Sequence, residues 1–389
     1  MKLNKKFIIF GKPNIGKAEI EGIKSVVNSK WVGTGPVTNK FEKLFKKYKN
    51  SKNAVALNSC TAALHLSLIA CGIKKNDEVI TTPMTFASTI NSIIHVGARP
   101  ILADIENDTF NIDPNEVVKK ITKRTKAIII VHFAGLPCKM TEIKKIVKKY
   151  KLKLIEDCAH AIEAKYNNIH TGNFGDVGCF SFYSTKNLTT VEGGMITTNN
   201  SKISDLARIM RIHGLSKDAW KRDLQVKEKN DHFKHYDVKE IGYKYNMPDL
   251  NASIGIVQLK KIEKNLKVRK KIYEMYKEKL KNLPIKFQKI YSKNISHAYH
   301  LFLIVLDKEK TNLSRDALAT FLLKNKIGVG INYRSITDMH IYKKRFKWNK
   351  NTAKQSKYLG DNILSLPLYP DLKMNEVNYI CYKIKSFFN

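Results

Sequence analysis

Short apolar runs alternate with amphipathic segments along the first half of the chain, and this alternation constrains the fold most. The runs at 54–57 (AVAL), 126–133 (KAIIIVHF) and 151–157 (KLKLIED) are separated by segments whose apolar residues have helical spacing. Strands that alternate with helices of this kind are typical of crossover units on a mostly parallel sheet. The sequence therefore predicts an α/β fold.

The second half of the chain predicts a smaller unit. A long helix-patterned segment at 247–283 is followed by strand-like runs at 300–307 and 327–333 and by a terminal helix. A chain of 389 residues with 43% hydrophobic content is long enough for two domains. We predict a large domain over 1–255 and a smaller C-terminal α/β domain over 256–389, with the long helix as the bridge.

The formal charge of +36 raises the question of a nucleic-acid partner, because lysine and arginine neutralise phosphates. Only nine of the 70 basic residues are arginine, the better side chain for bidentate recognition of phosphates and bases. The lysines lie along the whole chain. A solvated basic surface is therefore the favoured interpretation, without a specific nucleic-acid partner. A nucleic-acid-binding or regulatory protein remains the alternative from another class.

The cysteines and the apolar segments indicate a reduced, cytoplasmic protein. The N-terminal segment contains a four-residue apolar run, which is too short for the core of a signal peptide. No apolar stretch approaches the length that spans a bilayer. Buried, reduced thiols are expected at all six cysteines, none of which has metal or redox spacing: Cys60, Cys71, Cys138, Cys158, Cys179 and Cys381.

Lys186 lies in a loop between two apolar strands, in the stretch GCFSFYSTKNLTTVEGGMI at 178–196. A single loop lysine is usually a solvated surface charge. Here Gly193 and Gly194 allow the backbone to approach a ligand closely. A lysine held among apolar strands is partly desolvated, which lowers its pKa and makes its amine a competent nucleophile.

Asp157 stands at the end of an apolar strand, where open α/β sheets place their ligands. An acidic side chain there can pair with the protonated pyridine nitrogen of a cofactor and keep its ring an electron sink. The alternative is a cap for the segment that follows the strand. His160 follows three residues later and, taken alone, reads as a core or surface histidine.

Two further strand ends carry candidate ligand groups. The stretch LNSCTAALHL at 57–66 joins a strand directly to a helix N-terminus, which suits a phosphate dianion. An ordinary helix cap explains the same residues equally well. Phe86, in TTPMTFAST at 81–89, could stack on a flat cofactor, although core packing is the commoner role of a phenylalanine.

Together these segments closely resemble the DegT/DnrJ/EryC/StrS sugar aminotransferases. The resemblance is carried by NSCTAALHLSL, DEVITTPMTFAST, EDCAHAIEA and FSFYSTKNLTTVEGGM, and it runs nearly end to end. The segments HAYHLFLIV and NYRSITDMHIY look closest to the branch that makes UDP-4-amino-4-deoxy-L-arabinose. The resemblance implies a fold type I pyridoxal-phosphate-dependent transferase, whose large domain holds a mostly parallel seven-stranded sheet.

The same resemblance implies pyridoxal 5'-phosphate as the cofactor and gives roles to three catalytic residues. Lys186 would anchor the cofactor covalently and shuttle the proton. Asp157 would pair with the pyridine nitrogen, and His160 would lie near the phenolic oxygen.

Other residues receive binding roles from the resemblance. Thr61 and Ser181 would hold the phosphate, helped by the backbone of Cys60, and Phe86 would stack on the cofactor ring. Candidate contacts to the sugar nucleotide, for which surface packing is the alternative, are Trp220, Arg334 and His340.

The segment GYKYN at 242–246 implies a homodimer with shared active sites. In the family this segment reaches the cofactor of the neighbouring subunit. Lys244 stands here where asparagine is usual, and Asn246 where arginine is usual. Because 244 and 246 share one face of an extended segment, either could contact the phosphate.

The reaction that the resemblance implies is transfer of an amino group from glutamate to a nucleotide-linked 4-keto sugar on UDP or dTDP. The expected acceptor is a 4-keto-6-deoxyhexose, giving a 4-amino-4,6-dideoxy sugar such as viosamine, or a 4-keto pentose. A 3-keto sugar aminotransferase and a pyridoxal-phosphate-dependent sugar dehydratase are the alternatives. Dehydratase relatives replace the lysine with histidine, so Lys186 argues against dehydration.

Overall fold

Strands and helices alternate along the chain as the sequence predicts. The computed structural model describes residues 6–216 and 237–389. In these residues the strands, numbered in chain order, are β1 (Asn53–Leu57), β2 (Glu78–Thr81), β3 (Arg99–Leu102), β4 (Thr125–Val131), β5 (Lys153–Asp157), β6 (Lys165–Tyr166), β7 (Ile169–His170), β8 (Val177–Ser181), β9 (Gly194–Thr198), β10 (Ile285–Lys286), β11 (Ile295–Ser296), β12 (Phe302–Leu306) and β13 (Ile363–Leu366). The α-helices are α1 (Lys17–Asn28), α2 (Pro36–Lys49), α3 (Cys60–Ala70), α4 (Ala87–His95), α5 (Pro114–Lys120), α6 (Met140–Tyr150), α7 (Ser201–Met210), α8 (Asp249–Leu280), α9 (Arg315–Lys324), α10 (His340–Phe346), α11 (Lys354–Asn362) and α12 (Met374–Phe388).

Seven strands form the central sheet, in the order β1–β9–β8–β5–β4–β2–β3. The pairs from β8 through β5, β4 and β2 to β3 are parallel, and β9 runs antiparallel to both of its neighbours. This confirms the predicted mostly parallel seven-stranded sheet. The carboxyl ends of β4, β5 and β8 consequently meet at one edge.

Both faces of the sheet are covered, which explains its nearly continuous apolar runs. On β4, Ile128 and Ile130 pack into one buried cluster, while Ala127 and Ile129 pack into another. Alternate residues of a strand point to opposite faces, so the two clusters lie on opposite sides of the sheet. The first cluster includes residues of α6, and the second includes residues of α3 and α7.

The long helix α8 leads from the large sheet to the C-terminal unit. It packs against α1 and α2, and also against α12. A three-stranded antiparallel sheet, β10–β12–β13, shares a core with α9 and α12. The proposed boundary between residues 255 and 256 falls inside α8, and we propose that this helix bridges the two units.

The strand-like run at 327–333 does not form a strand. Ile327 makes one isolated bridge with Ile8, and Gly330 makes one with Ser365. A Cβ atom on Gly330 would lie 2.7 Å from the ring of Phe10. The run therefore packs against the N-terminal segment and bends toward the cavity described below, instead of extending the small sheet.

All six cysteines are free thiols, as predicted, but only four of them are buried, because Cys60 and Cys71 are partly exposed. Across the described ranges, no helix combines the length and the apolar character needed to cross a lipid bilayer.

Candidate functional site

A cavity of about 560 Å³ opens where the carboxyl ends of the central strands meet. Val131 ends β4, Asp157 ends β5 and Ser181 ends β8, and all three line the cavity. Parallel strands direct their carboxyl ends to one edge of a sheet, which is where open α/β sheets bind ligands. The topology therefore brings together residues that lie far apart in the sequence.

Asp157 is buried and is held in one orientation. Its Oδ2 accepts a 2.9 Å hydrogen bond from the Thr89 hydroxyl, and its Oδ1 accepts one of 3.1 Å from the Ala159 amide. Burial raises the pKa of Asp157, and the two hydrogen bonds and the nearby Lys186 act in the opposite direction. A cationic ring nitrogen bound here would offset the cost of burying the carboxylate.

Lys186 lies in the cavity wall, where its side chain is half-buried. Its amide closes a turn by donating to the carbonyl of Tyr183 at 2.9 Å. Burial lowers the pKa of Lys186 to about 8, while Asp157 and Cys60 oppose this change. A larger fraction of the amine is consequently unprotonated near neutral pH than for a solvated lysine, as covalent capture of a carbonyl requires.

The N-terminus of α3 forms an anion cradle. Ser59 caps the helix, and Cys60 and Thr61 are its first two residues, so their amides have no partner within the helix. Ser181 lines the cavity together with these three residues. A Cβ atom on Gly194 would lie 2.3 Å from the Ser59 carbonyl oxygen, so only glycine lets β9 approach this loop. Free amides and the helix dipole suit a phosphate dianion.

Phe86 stands at the cavity rather than in the core. Its ring is 62% exposed, and its centroid lies 6.0 Å from that of Tyr333. The core-packing alternative for Phe86 therefore does not hold. The exposed ring is available to a flat ligand.

His160 lies in the same wall as Lys186 and is uncharged. Its Nδ1 accepts a 3.2 Å hydrogen bond from the Ala134 amide, and its Nε2 lies 2.9 Å from the Tyr333 hydroxyl. Burial lowers the pKa of His160 well below its usual value, and Lys186 and His300 lower it further. Both ring nitrogens of His160 therefore have protein partners, and its neutral ring adds no charge to the site.

Tyr333 and His300 also line the cavity, although sequence reasoning assigned neither of them. Both lie within C-terminal segments that carried the family resemblance, HAYHLFLIV and NYRSITDMHIY. The sequence motifs therefore marked the segments from which these two residues come. The motif does not indicate which of its polar residues face the ligand.

Two of the three proposed substrate residues, Arg334 and His340, are not part of this cavity wall. Arg334 is exposed, and the structure turns its neighbour Tyr333 toward the cavity instead. His340 begins α10 and is exposed. Trp220 lies outside the described residues.

Lys244 and Asn246 are likewise absent from the cavity of their own chain. Lys244 is exposed, and the side-chain amide of Asn246 donates to the Thr34 hydroxyl at 2.6 Å. Among the described residues that line the cavity, Lys186 is the only lysine or arginine. Further positive charge for an anionic ligand must come from elsewhere.

The residues of the cavity fit pyridoxal 5'-phosphate part by part. The amine of Lys186 can bond to its carbonyl carbon, and the buried carboxylate of Asp157 can meet its ring nitrogen. The free amides of α3 suit its phosphate, and the exposed ring of Phe86 suits its flat ring.

Comparisons with known proteins agree with the geometry. The model of the DegT/DnrJ/EryC1/StrS aminotransferase family matches residues 13–385. An uncharacterized protein of Methanocaldococcus jannaschii is 43% identical over 375 residues, which is 96% of each chain. The spore coat polysaccharide biosynthesis protein SpsC of Bacillus subtilis is 38% identical over 383 residues, covering 98% of this chain and 97% of that protein.

Solved structures show the same fold over nearly the whole chain. Spr1654 of Streptococcus pneumoniae, described as a sugar aminotransferase, matches in its PMP form with a TM-score of 0.90 at 30% identity, covering 97% of this chain and 98% of that one. Its PLP form matches with a TM-score of 0.89 at 28% identity, covering 98% of each chain. The chain therefore belongs to the DegT/DnrJ/EryC1/StrS family and is a pyridoxal-phosphate-dependent sugar aminotransferase.

Proposed function

We propose that this enzyme transfers an amino group from glutamate to a 4-keto-6-deoxyhexose linked to UDP or dTDP, giving a 4-amino-4,6-dideoxy sugar. The observation that carries the proposal is the presence of Lys186 and Asp157 in one cavity, next to the anion cradle of α3. PseC of Helicobacter pylori, an aminotransferase involved in the biosynthesis of pseudoaminic acid, matches with a TM-score of 0.90 at 27% identity, covering 98% of this chain and 99% of that one. SpsC is named for polysaccharide biosynthesis, which supports an amino sugar as the product.

Three residues of the chain have separate roles in the proposed reaction. When bound, pyridoxal phosphate supplies the electron sink and carries the amino group between the two substrates. Lys186 releases and recaptures the cofactor and moves the proton at its Nζ. Asp157 keeps the ring nitrogen protonated, and neutral His160 adds no charge near the phenolic oxygen. Because the two substrates take turns in one cavity, we expect ping-pong kinetics.

The position of the keto group on the sugar is the most specific part of the proposal. It rests on the resemblance of the C-terminal segments to the branch that makes UDP-4-amino-4-deoxy-L-arabinose. A 3-keto sugar would use the same lysine, carboxylate and cradle, so amination at that position is the competing candidate. Dehydratase relatives have no lysine anchor. The presence of Lys186 and its lowered pKa therefore favour transamination over dehydration.

We also propose a homodimer whose two active sites each use residues of both subunits. A nucleotide diphosphate and the carboxylates of glutamate carry several negative charges, whereas Lys186 is the only lysine or arginine in the described cavity wall. Tyr183, an aromatic side chain at the cavity, is 48% exposed and suits contact with a second copy. Ile241, next to the GYKYN segment, is 92% exposed.

A substrate panel tests the proposed reaction. The enzyme is incubated with glutamate and with nucleotide-linked 3-keto and 4-keto sugars, and amino sugar and 2-oxoglutarate are measured together. We expect equimolar products with the 4-keto-6-deoxyhexose. The Lys186→Ala protein is the control for uncatalysed reaction. Amination of 3-keto sugars alone would contradict the keto position, and products without 2-oxoglutarate would contradict the donor.

A further inference from the structure

A chain of buried polar groups runs behind the cavity wall and ends at His300. Arg269 of α8 forms a buried ion pair with Glu163. The side chain of Asn187, the residue directly after Lys186, hydrogen-bonds both Glu163 and His300. The covalent anchor of the cofactor is thus joined through its neighbour to a histidine in the cavity wall.

The orientation of the Asn187 amide follows from its partners. Its Nδ2 donates a 2.9 Å hydrogen bond to the Ala298 carbonyl and another of 2.9 Å to Glu163. A backbone carbonyl only accepts hydrogen bonds, so the nitrogen end of the amide must face Ala298. The oxygen end of the amide consequently faces His300, with Oδ1 lying 2.9 Å from its Nδ1.

This arrangement determines the tautomer of His300. The amide oxygen of Asn187 can only accept, so Nδ1 of His300 must carry the hydrogen. Burial lowers the pKa of His300 well below its usual value, and Lys186 and Arg269 lower it further, so the ring is neutral. A neutral ring with its hydrogen on Nδ1 has a free lone pair on Nε2.

The lone pair of His300 is available to a ligand. His300 lines the cavity, and among the described residues no hydrogen bond to its Nε2 is found. The ring of His160, whose centroid lies 4.4 Å from that of His300 at an interplanar angle of 32°, has the opposite arrangement of its hydrogen. There the Ala134 amide occupies Nδ1, so Nε2 carries the hydrogen and donates it to Tyr333. Of these two neighbouring histidines, only His300 offers the cavity an acceptor.

We propose that Asn187 holds His300 as the Nδ1–H tautomer, and that Nε2 of His300 accepts a hydrogen bond from the hydroxyl adjacent to the carbonyl of the keto sugar. This inference rests on the proposed function. A 4-keto-6-deoxyhexose keeps a hydroxyl on one side of its carbonyl, and the carbonyl must approach Lys186. His300 and Lys186 line the same cavity, and His300 is held by Asn187, the residue directly after Lys186, so its acceptor faces the cavity that the carbonyl must enter. The residue therefore determines specificity for the hydroxylated sugar.

The tautomer can be measured without any substrate. We would label the histidines of the full-length holoenzyme with ¹⁵N and record long-range ¹H–¹⁵N spectra, which distinguish the two neutral tautomers. The signal lost in His300→Asn identifies His300. We expect hydrogen on Nδ1 for His300 and on Nε2 for His160. Hydrogen on Nε2 of His300 would overturn the inference. In Asn187→Ala the His300 signal should lose its pure Nδ1–H character, and if that variant does not fold, the parent spectrum alone decides the tautomer.

A pair of substrates tests the role of His300 in specificity. In His300→Asn the new amide can still donate to Asn187, but it does not reach the position of Nε2. For the 4-keto sugar with its neighbouring hydroxyl we expect kcat/KM to fall about tenfold, the effect of one hydrogen bond between neutral groups. For the analogue that lacks this hydroxyl we expect a change of less than about twofold.

His297→Asn is the matched control, because His297 is also a buried histidine but does not line the cavity. It should treat both sugars as the parent does. Equal losses with the two sugars in His300→Asn would overturn the inference. If the parent aminates no nucleotide-linked keto sugar at all, the proposed function fails, and with it the sugar contact, while the tautomer is still decided by the spectra.

Discussion

The hydroxyl of Thr89 on α4 donates a 2.9 Å hydrogen bond to Oδ2 of Asp157 at the end of β5. This contact crosses from a helix to the central sheet and fixes the carboxylate that we propose as the partner of the cofactor ring. Thr89 itself lies 2.7 Å from the Thr85 hydroxyl, so two hydroxyls support one acidic group. The orientation of Asp157 is therefore set by α4 as well as by its own strand.

Removing the Thr89 hydroxyl should weaken cofactor binding. Thr89→Val keeps the volume of the side chain and leaves one oxygen of Asp157 without its donor. We expect affinity for pyridoxal phosphate, measured by fluorescence titration of the apoenzyme, to fall about tenfold. Thr89→Ser keeps the hydroxyl and is the control. Unchanged affinity in Thr89→Val would show that this contact does not support the cofactor site.

Neutralising Asp157 should affect the rate more than binding. In Asp157→Asn the amide cannot hold the ring nitrogen protonated, so the electron sink is lost while most binding contacts remain. We expect kcat to fall by at least about a hundredfold, the scale of losing a preorganised electrostatic partner. Steady-state kinetics at saturating cofactor measure this fall in kcat. Turnover within a few-fold of the parent would contradict the role of Asp157.

Loading of the cofactor should depend on pH through Lys186. Only the unprotonated amine attacks a carbonyl, and burial lowers the pKa of this lysine to about 8. The rate constant for reconstitution of the apoenzyme, followed by absorbance from pH 6 to pH 10, should rise about tenfold per pH unit below pH 8 and level off above it. A midpoint near the ordinary lysine pKa would contradict a desolvated Lys186.

The loop between Lys186 and β9 contains a strained residue. Val191 has a φ of +70°, a conformation that a β-branched side chain rarely adopts. Its side chain is 50% exposed, so Val191→Gly loses little buried surface while relieving strain of about 1–3 kcal/mol. Because glycine also gains freedom in the unfolded chain, we expect the free energy of unfolding to rise by about 1 kcal/mol or less.

Urea denaturation of Val191→Gly measures this effect, with Val118→Gly as the matched control. Val118 is a 42% exposed valine inside helix α5. There glycine has no strain to relieve, and it should destabilise the protein by about 0.5 kcal/mol or more. If both variants destabilise the protein equally, Val191 is not strained.

The site residues that follow strand ends could be predicted from the sequence, because a strand and the turn after it are local patterns. Asp157 at the end of β5 and the helix start at Cys60 were recognised in this way. The alternation of strands and helices follows from the same periodicity, whereas the order of the strands in the sheet does not. Lys186 needed the additional context of its loop and of the family resemblance.

The residues supplied by the C-terminal unit could not be assigned in this way. His300 and Tyr333 reach the cavity only because that unit packs against the large sheet, and no local pattern indicates such a contact. The small sheet β11–β6–β7 was not predicted either, since strands of two residues have no measurable periodicity. The helix α1 packs against α8 across more than two hundred residues of sequence and was also missed.

Sharing of active sites between subunits can be tested by complementation. One parent carries Lys186→Ala, and the other carries Lys244→Ala together with Asn246→Ala, and both must be inactive alone. After subunit exchange, half of the dimers are hybrids with one intact site each, so about a quarter of the wild-type activity should return. Absence of activity after proven exchange would contradict the shared-site proposal.

Borohydride reduction of the holoenzyme, followed by digestion and peptide mapping, tests most directly whether Lys186 anchors the cofactor. Reduction makes the covalent link permanent and marks the lysine that formed it. We expect one cofactor adduct per chain, on the peptide that contains Lys186, and none in a folded Lys186→Ala protein. An adduct on any other lysine, or a Lys186→Ala protein that still aminates the sugar, would contradict the assignment.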